Sequence, residues 1–227
     1  MKILIMLCGF LIVSSAFGQN GKSIRPDYNQ IELEIQRQGS AFYYPFLMER
    51  YKANDTTLTM QEYRHLYYGY IFQSGYEPYW RCQHEQSRIN ILKQGKLTAE
   101  NIETLINYCL ECIEDFPFDI RSIRMLSHLY RLSDDSANAD LFLVKGKNLL
   151  STIISSGNGK RPRRAMHVIS TTHQYELLDG LDLVPTGQSL IRNKYDFISV
   201  EKNQFKVKGF YFNVEKIFEI NRLRRDI

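Results

Sequence analysis

Beyond its first eighteen residues the sequence lacks any apolar run long enough to cross a membrane, and it lacks a strong excess of charge. The net charge is +4 over 227 residues, and removing residues 1–18 takes away only Lys2. So small an excess argues against nucleic-acid binding, which calls for a pronounced basic stripe. Catalytic signatures are missing too. There is no G-x-S-x-G elbow, and His84-Glu85 lacks the second His of a zincin helix. Gly157-Asn158-Gly159-Lys160 has neither the spacing nor the Ser/Thr of a phosphate loop. Asp134, Ser136 and Asn138 begin like a calcium loop, but Ala139 stands at the turn glycine and Lys145 at the bidentate Glu. None of His65, His84, His128, His167 and His173 pairs with a carboxylate at metal spacing on one helix face. We therefore expect no catalytic residue, no metal and no cofactor.

Cysteine is scarce. Cys82, Cys109 and Cys112 lie outside the first eighteen residues, and an odd count in an exported chain means a free thiol or an intermolecular pair. Cys109 and Cys112 form a C-x-x-C, yet Cys109 falls mid-helix rather than at a helix start, and no second pair completes four ligands. They are read as buried small hydrophobes, with a disulfide to Cys82 and redox or metal work as alternatives.

What is present starts with a three-part leader. Lys2 is a short positive region, Ile3 to Val13 an apolar one, and Ser14-Ser15-Ala16-Phe17-Gly18 supplies small residues for cleavage before Gln19. Residues 1–18 read as a signal peptide, placing the remaining chain in the periplasm or outside the cell with no transmembrane anchor after cleavage. The remainder, 24% of it charged in the full count and rich in aromatics at 13%, is ordinary for a globular chain.

Helical periodicity dominates residues 19–155. Asp27 is expected to cap a short helix after Pro26, and Ser40 a second with Tyr43, Phe46, Leu47 and Tyr51 on one face. Thr59 and Glu62 form a capping box for a third, whose stripe is Tyr63, Leu66, Tyr67, Tyr70 and Ile71. A polar helix follows over 81–93, then Thr98–Asp115, one capped by Asp119, and a longer one after Ser133-Asp134-Asp135. The Pro117–Asp119 turn gives residues 98–155 a tetratricopeptide-like look of antiparallel helix pairs. Ser155 to Arg164 reads as a basic linker. In residues 156–227 the period changes to two, with a strand in 165–170 and a hairpin of 195–201 and 205–212 around Asn203, bulged at Gly209. The expected class is α+β: a helical part followed by a small antiparallel sheet, packed together as one domain, with a basic end at Arg222, Arg224 and Arg225.

Tyr67, Tyr68, Tyr70, Phe72, Tyr76, Tyr79 and Trp80 crowd into fourteen residues. Such a block fits a helical core whose phenols bond local backbone, or a surface for peptides or sugars, or both. The candidate binding residues are Tyr67, Tyr68, Tyr70, Tyr76, Tyr79 and Trp80. Asp55 through Thr59 is read first as a loop shaped by side chain-to-backbone bonds.

These segments resemble a bacterial family, domain of unknown function 4919, found largely in exported Bacteroidetes proteins. The resemblance rests on Tyr43-Tyr44-Pro45, Arg50-Tyr51, Asp55-Thr56-Thr57-Leu58-Thr59, Glu62-Tyr63, Leu66-Tyr67-Tyr68-Gly69-Tyr70 and Tyr76-Glu77-Pro78-Tyr79. Tyr195-Asp196 and Gly209-Phe210-Tyr211-Phe212-Asn213 continue it. It implies export and a domain spanning most of the chain, and names no substrate. Asp55-Thr56-Thr57 and Asp135-Ser136-Ala137 also resemble the O-glycan acceptor motif of such proteins, at Thr56 and Ser136. The expected function is a binding module of the cell envelope, engaging a protein segment or an envelope glycan. The alternative is an envelope hydrolase using His167, His173, Asp179 and Asp196.

Overall fold

The computed structural model describes residues 23–225, so the leader lies outside the described residues. Among the described residues nine α-helices and four short strands follow one another: α1 Tyr28–Gln36, α2 Tyr44–Lys52, α3 Met60–Gly69, α4 Glu85–Leu92, α5 Ala99–Asp115, α6 Ile120–Leu132, α7 Ser136–Ser156, β1 Met166–His167, α8 Thr172–Gly180, β2 Pro185–Ile191, β3 Tyr195–Val200, β4 Gly209–Asn213 and α9 Glu215–Arg225. The class is α+β.

Local chemistry sets most helix starts. Asp27 accepts a hydrogen bond from the Gln30 amide at 3.1 Å and so caps α1. Thr59 and Glu62 exchange both bonds of a capping box on α3, and Thr98 with Asn101 does the same on α5. α2 departs from expectation. Pro45 stands in its first turn, so the helix begins at Tyr44 and not after Ser40, whose hydroxyl instead accepts from the Phe42 amide. The buried face is accordingly Tyr44, Leu47 and Tyr51, and Phe46 is exposed. α4 begins at Glu85, four residues later than the periodicity indicates, because Cys82 is tied elsewhere.

The core forms around α3. Every residue from Tyr63 to Gly69 is buried, because α1, α2 and α7 all pack against this one helix. α5, α6 and α7 pack in succession, each on the next; that contact alone does not establish a tetratricopeptide arrangement.

The sheet has the order β1-β4-β3-β2, with β1 parallel to β4 and the other pairs antiparallel. Phe210 and Phe212 share one face of β4 and are both buried; Tyr211 on the other face meets Phe197 at 4.7 Å between rings. β2 has no counterpart in the sequence reading. Its residues Pro-Thr-Gly-Gln-Ser-Leu-Ile are exposed or nearly so, and an edge strand with no buried face has no reason to alternate. Arg192 and Asn193, both with positive φ, turn it into β3.

The expected bulge at Gly209 is absent: β3 and β4 keep continuous register from Tyr195–Asn213 to Ser199–Gly209. The irregularity lies instead between Pro185 and Gly187 of β2. Gly209 is required for another reason, since a Cβ there would lie 2.3 Å from Ile198 O and 2.7 Å from Phe197 Cζ. Phe205 and Val207 belong to a loop held by Asn203, whose amide donates to Glu201 O and Val207 O at 2.8 Å. The segment between α7 and β1 is bonded rather than free: with φ +65°, Gly159 donates to Arg164 O at 2.7 Å and accepts from the Tyr211 amide at 2.8 Å.

Gly209→Ala should therefore destabilise the fold by about 2 kcal/mol or more, because neither a strand carbonyl nor a packed ring can yield. Gly75→Ala, with nothing within 4 Å of its Cβ, should stay within about 0.5 kcal/mol. Urea denaturation midpoints compare the two; equal shifts would remove the steric explanation.

Candidate functional site

The aromatic block divides. Tyr67, Tyr68 and Tyr76 are fully buried and Tyr70 is 6% exposed. Their hydroxyls are committed: Tyr68 donates to Thr152 O at 3.2 Å, Tyr76 to Ile169 O at 2.7 Å, and Tyr70 to Gly75 O at 3.4 Å. Tyr67 Oη lies 2.7 Å from His173 Nδ1, and His173 Nε2 lies 2.9 Å from Phe118 O. A carbonyl only accepts, so Nε2 carries the proton and Nδ1 receives the Tyr67 hydrogen. These four tyrosines are core, because no ligand reaches them without opening it. Tyr79 is exposed and Trp80 half-buried.

Trp80 packs against Phe116 in a tilted ring pair, 5.1 Å between centroids, and forms one wall of a cleft of about 210 Å³. Tyr175, its hydroxyl donating to Gln188 at 2.7 Å, is also part of the lining. Three separate segments supply cations to it: Arg81 ahead of α4, Arg88 within α4, and Arg121 in the first turn of α6. Thr171 and Thr172 add hydroxyls at the start of α8.

The cations differ in freedom. Arg88 is 4% exposed and donates to Ser122 Oγ at 2.6 Å; the Ser122 hydroxyl donates in turn to Asp119. Burial pushes the Asp119 carboxyl above its usual range, opposed by the Ser122 hydrogen bond and by Arg88. Arg121 is divided between Glu176 at 2.9 Å and Glu85 at 3.1 Å. Arg81 is exposed and, among the described residues, pairs with no carboxylate. Glu85 and Asp119 line the cleft and Glu176 holds Arg121 from beside it, which leaves Arg81 as the exposed lining arginine outside any ion pair described.

A disulfide joins Cys82 to Cys112 with Cα atoms 5.3 Å apart, and it pins the Trp80–Cys82 segment to α5. The reading of Cys109 and Cys112 as simple hydrophobes is thus corrected at Cys112, in favour of the alternative disulfide to Cys82. Among the described residues Cys109 is the free thiol; it is buried, and burial raises its pKa. Closing a loop of this size stabilises by about 3–4 kcal/mol in the chain-entropy picture.

No hydrogen bond or ion pair described joins any two of the alternative catalytic residues His167, His173, Asp179 and Asp196. His173 belongs to the Tyr67–Phe118 chain. His167 Nδ1 is 3.4 Å from Tyr28 Oη, Asp179 pairs with Arg124 at 2.8 Å, and Asp196 accepts from Gln174 at 2.8 Å and Gln188 at 2.9 Å. Among the described residues no three His, Cys, Asp or Glu side chains form a metal-binding group, and no helix is long and apolar enough to cross a membrane. Thr56 and Ser136 are both exposed. The loop ahead of α3 does have its structural role: Asp55 accepts from the Thr57 amide at 2.9 Å and its hydroxyl at 2.6 Å, and also from Arg50.

Burial holds His173 down to about 3 and, with help from nearby cations, His167 to about 4. An unfolded histidine titrates near 6.5, so below that pH the unfolded chain binds protons that the folded chain refuses, and stability falls as pH falls. Between pH 6.5 and 4, wild type should lose about 3 kcal/mol more than His173→Gln. Urea titrations across that window measure it, and parallel stability curves would contradict the buried neutral imidazole.

No curated protein and no solved structure matches the chain. A family model does, over residues 29–222. The chain therefore belongs to the family described as Domain of unknown function (DUF4919).

Proposed function

We propose that the chain is an exported binding module of the cell envelope whose Trp80 cleft takes a short acidic glycan segment. The observation that carries this reading is the pairing of an aromatic wall with an uncommitted guanidinium, Arg81, on a segment fixed by a disulfide. Aromatic faces stack on sugar rings, and a guanidinium recognises a carboxylate in two parallel hydrogen bonds. The threonine hydroxyls and the Tyr175 phenol add polar contacts of the kind a saccharide uses.

Export is supported by the charged, apolar and small-residue order of residues 1–18. A structural disulfide fits the same reading, since such bonds persist in oxidising compartments. A hydrolase working through His167, His173, Asp179 and Asp196 would need at least two of these groups on one substrate, and each is held by a separate partner.

Isothermal titration with an oligogalacturonate and with a neutral oligosaccharide of equal length tests the proposal. The acidic ligand should bind, weaken with added salt, and lose about tenfold or more in affinity in Arg81→Gln, which leaves the core untouched. Equal binding of both sugars, or no effect of Arg81→Gln, would overturn it. Binding of an acidic peptide in place of the sugar would move the reading to a protein segment.

A further inference from the structure

On the far side of α5 from the disulfide network lies a second cavity of about 240 Å³, lined by Tyr51, Asn54, Leu110, Ile113, Phe142 and Lys145 among others. Lys145 projects from the middle of α7 and is 6% exposed. Its ammonium sits 4.2 Å from the centroid of the Tyr51 ring and 5.7 Å from that of Phe142. No described carboxylate lies within ion-pair distance of it. Glu114, the acid on the same wall, is paired with Lys52 at 2.7 Å and is largely exposed. Tyr51 itself is unavailable as a counter-ion, since its hydroxyl donates to Pro117 O at 2.9 Å.

A buried cation without an anion is costly, and ring faces offset only part of that cost. The lowering of the Lys145 pKa to about 8 by burial has the same origin. A second group in the cavity is also incomplete. Asn54 Oδ1 is buried and has no hydrogen-bond partner, on a residue held at φ +57°. An acceptor buried without a donor is costly, because it has given up water and gained nothing in return. The remaining wall, from Leu110, Ile113 and Phe142, is apolar.

A ligand that satisfies all three features carries an anion, a hydrogen-bond donor beside it and an apolar body. We propose that this cavity binds a small aliphatic 2-hydroxy acid, its carboxylate on Lys145, its hydroxyl donating to Asn54 Oδ1 and its tail against Leu110, Ile113 and Phe142. The volume is below that of ordinary drug-sized sites, which suits a molecule of a few carbons. A 2-amino acid presents the same shape, but its ammonium would enter a site that already holds Lys145 and has Lys52 on its wall. The hydroxyl is therefore the better donor. This site shares no residue with the Trp80 cleft and does not depend on the proposal made for it.

The test is isothermal titration of the full mature chain with 2-hydroxy-4-methylpentanoate, 4-methylpentanoate and leucine. The hydroxy acid should bind saturably, and the plain acid and leucine each about tenfold more weakly. Lys145→Met should abolish binding while leaving the melting temperature equal or higher, because it removes an unpaired buried charge. Asn54→Gly, which tolerates the same backbone angle, should keep the carboxylate contact and erase the preference for the hydroxyl, so it decides the matter even if Lys145→Met does not fold. Absence of saturable binding, binding that survives Lys145→Met, or an unchanged hydroxyl preference in Asn54→Gly would each overturn the proposal. A sharp fall in melting temperature in Lys145→Met with no ligand effect would do so as well, by assigning Lys145 to packing on the two rings.

Discussion

A phenol taken out of water must donate its hydrogen bond to an acceptor, and for five tyrosines of this core the acceptor belongs to a segment distant in sequence. Tyr44 donates to Leu66 O, Tyr51 to Pro117 O, Tyr68 to Thr152 O and Tyr76 to Ile169 O. Tyr67 donates to His173, which passes a second bond to Phe118 O. Each bond is worth about 1 kcal/mol net, but breaking one strands a buried polar group at greater cost. The tyrosines of α3 and its neighbours therefore do more than fill space. They fix where the turn at 116–118, the end of α7 and the strand-to-helix turn at 168–172 must lie.

The two proposed sites follow from that placement. The turn at Phe116–Phe118 carries the ring against which Trp80 packs, and Asp119 next to it anchors Ser122 and through it Arg88. The cleft is thus bounded by groups that the core already holds, while Arg81 stays outside every ion pair described. On the opposite side of α5, Pro117 and Tyr51 close the Lys145 cavity. One turn, bonded by two buried rings, borders both sites, with a solvated cation in one and a desolvated cation in the other. The difference in solvation separates the chemistry each can do: a surface guanidinium selects multivalent acidic partners, and a buried ammonium selects one small anion.

Features written into adjacent residues were legible in the sequence. The Asp27 cap, the Thr59–Glu62 box, the Asp55 loop and the run of helices from Thr98 all depend on neighbours within four positions. The α+β class was legible from the change of period. Features that depend on tertiary contacts were not. The face of α3 could not be chosen from periodicity, because aromatic residues surround the helix and packing encloses it entirely. β2 carries no alternation because nothing covers it. Cys82 finds Cys112 across thirty positions, and an odd count of three does not say which cysteine is left free. The cleft draws Arg81, Arg121 and Tyr175 from three segments that share no motif, and Lys145 reads in the sequence only as the wrong residue for a calcium loop.

The claim that buried phenols tie the α3 hub to distant segments is tested most directly by a double-mutant cycle on Tyr67→Phe and His173→Gln, with folding free energies from urea denaturation at pH 7. The account predicts that the two single changes are non-additive, with an interaction energy of about 1 kcal/mol or more, because both remove parts of one hydrogen-bonded chain. Additive losses within about 0.3 kcal/mol would contradict it, and would reduce Tyr67 and His173 to independent pieces of packing.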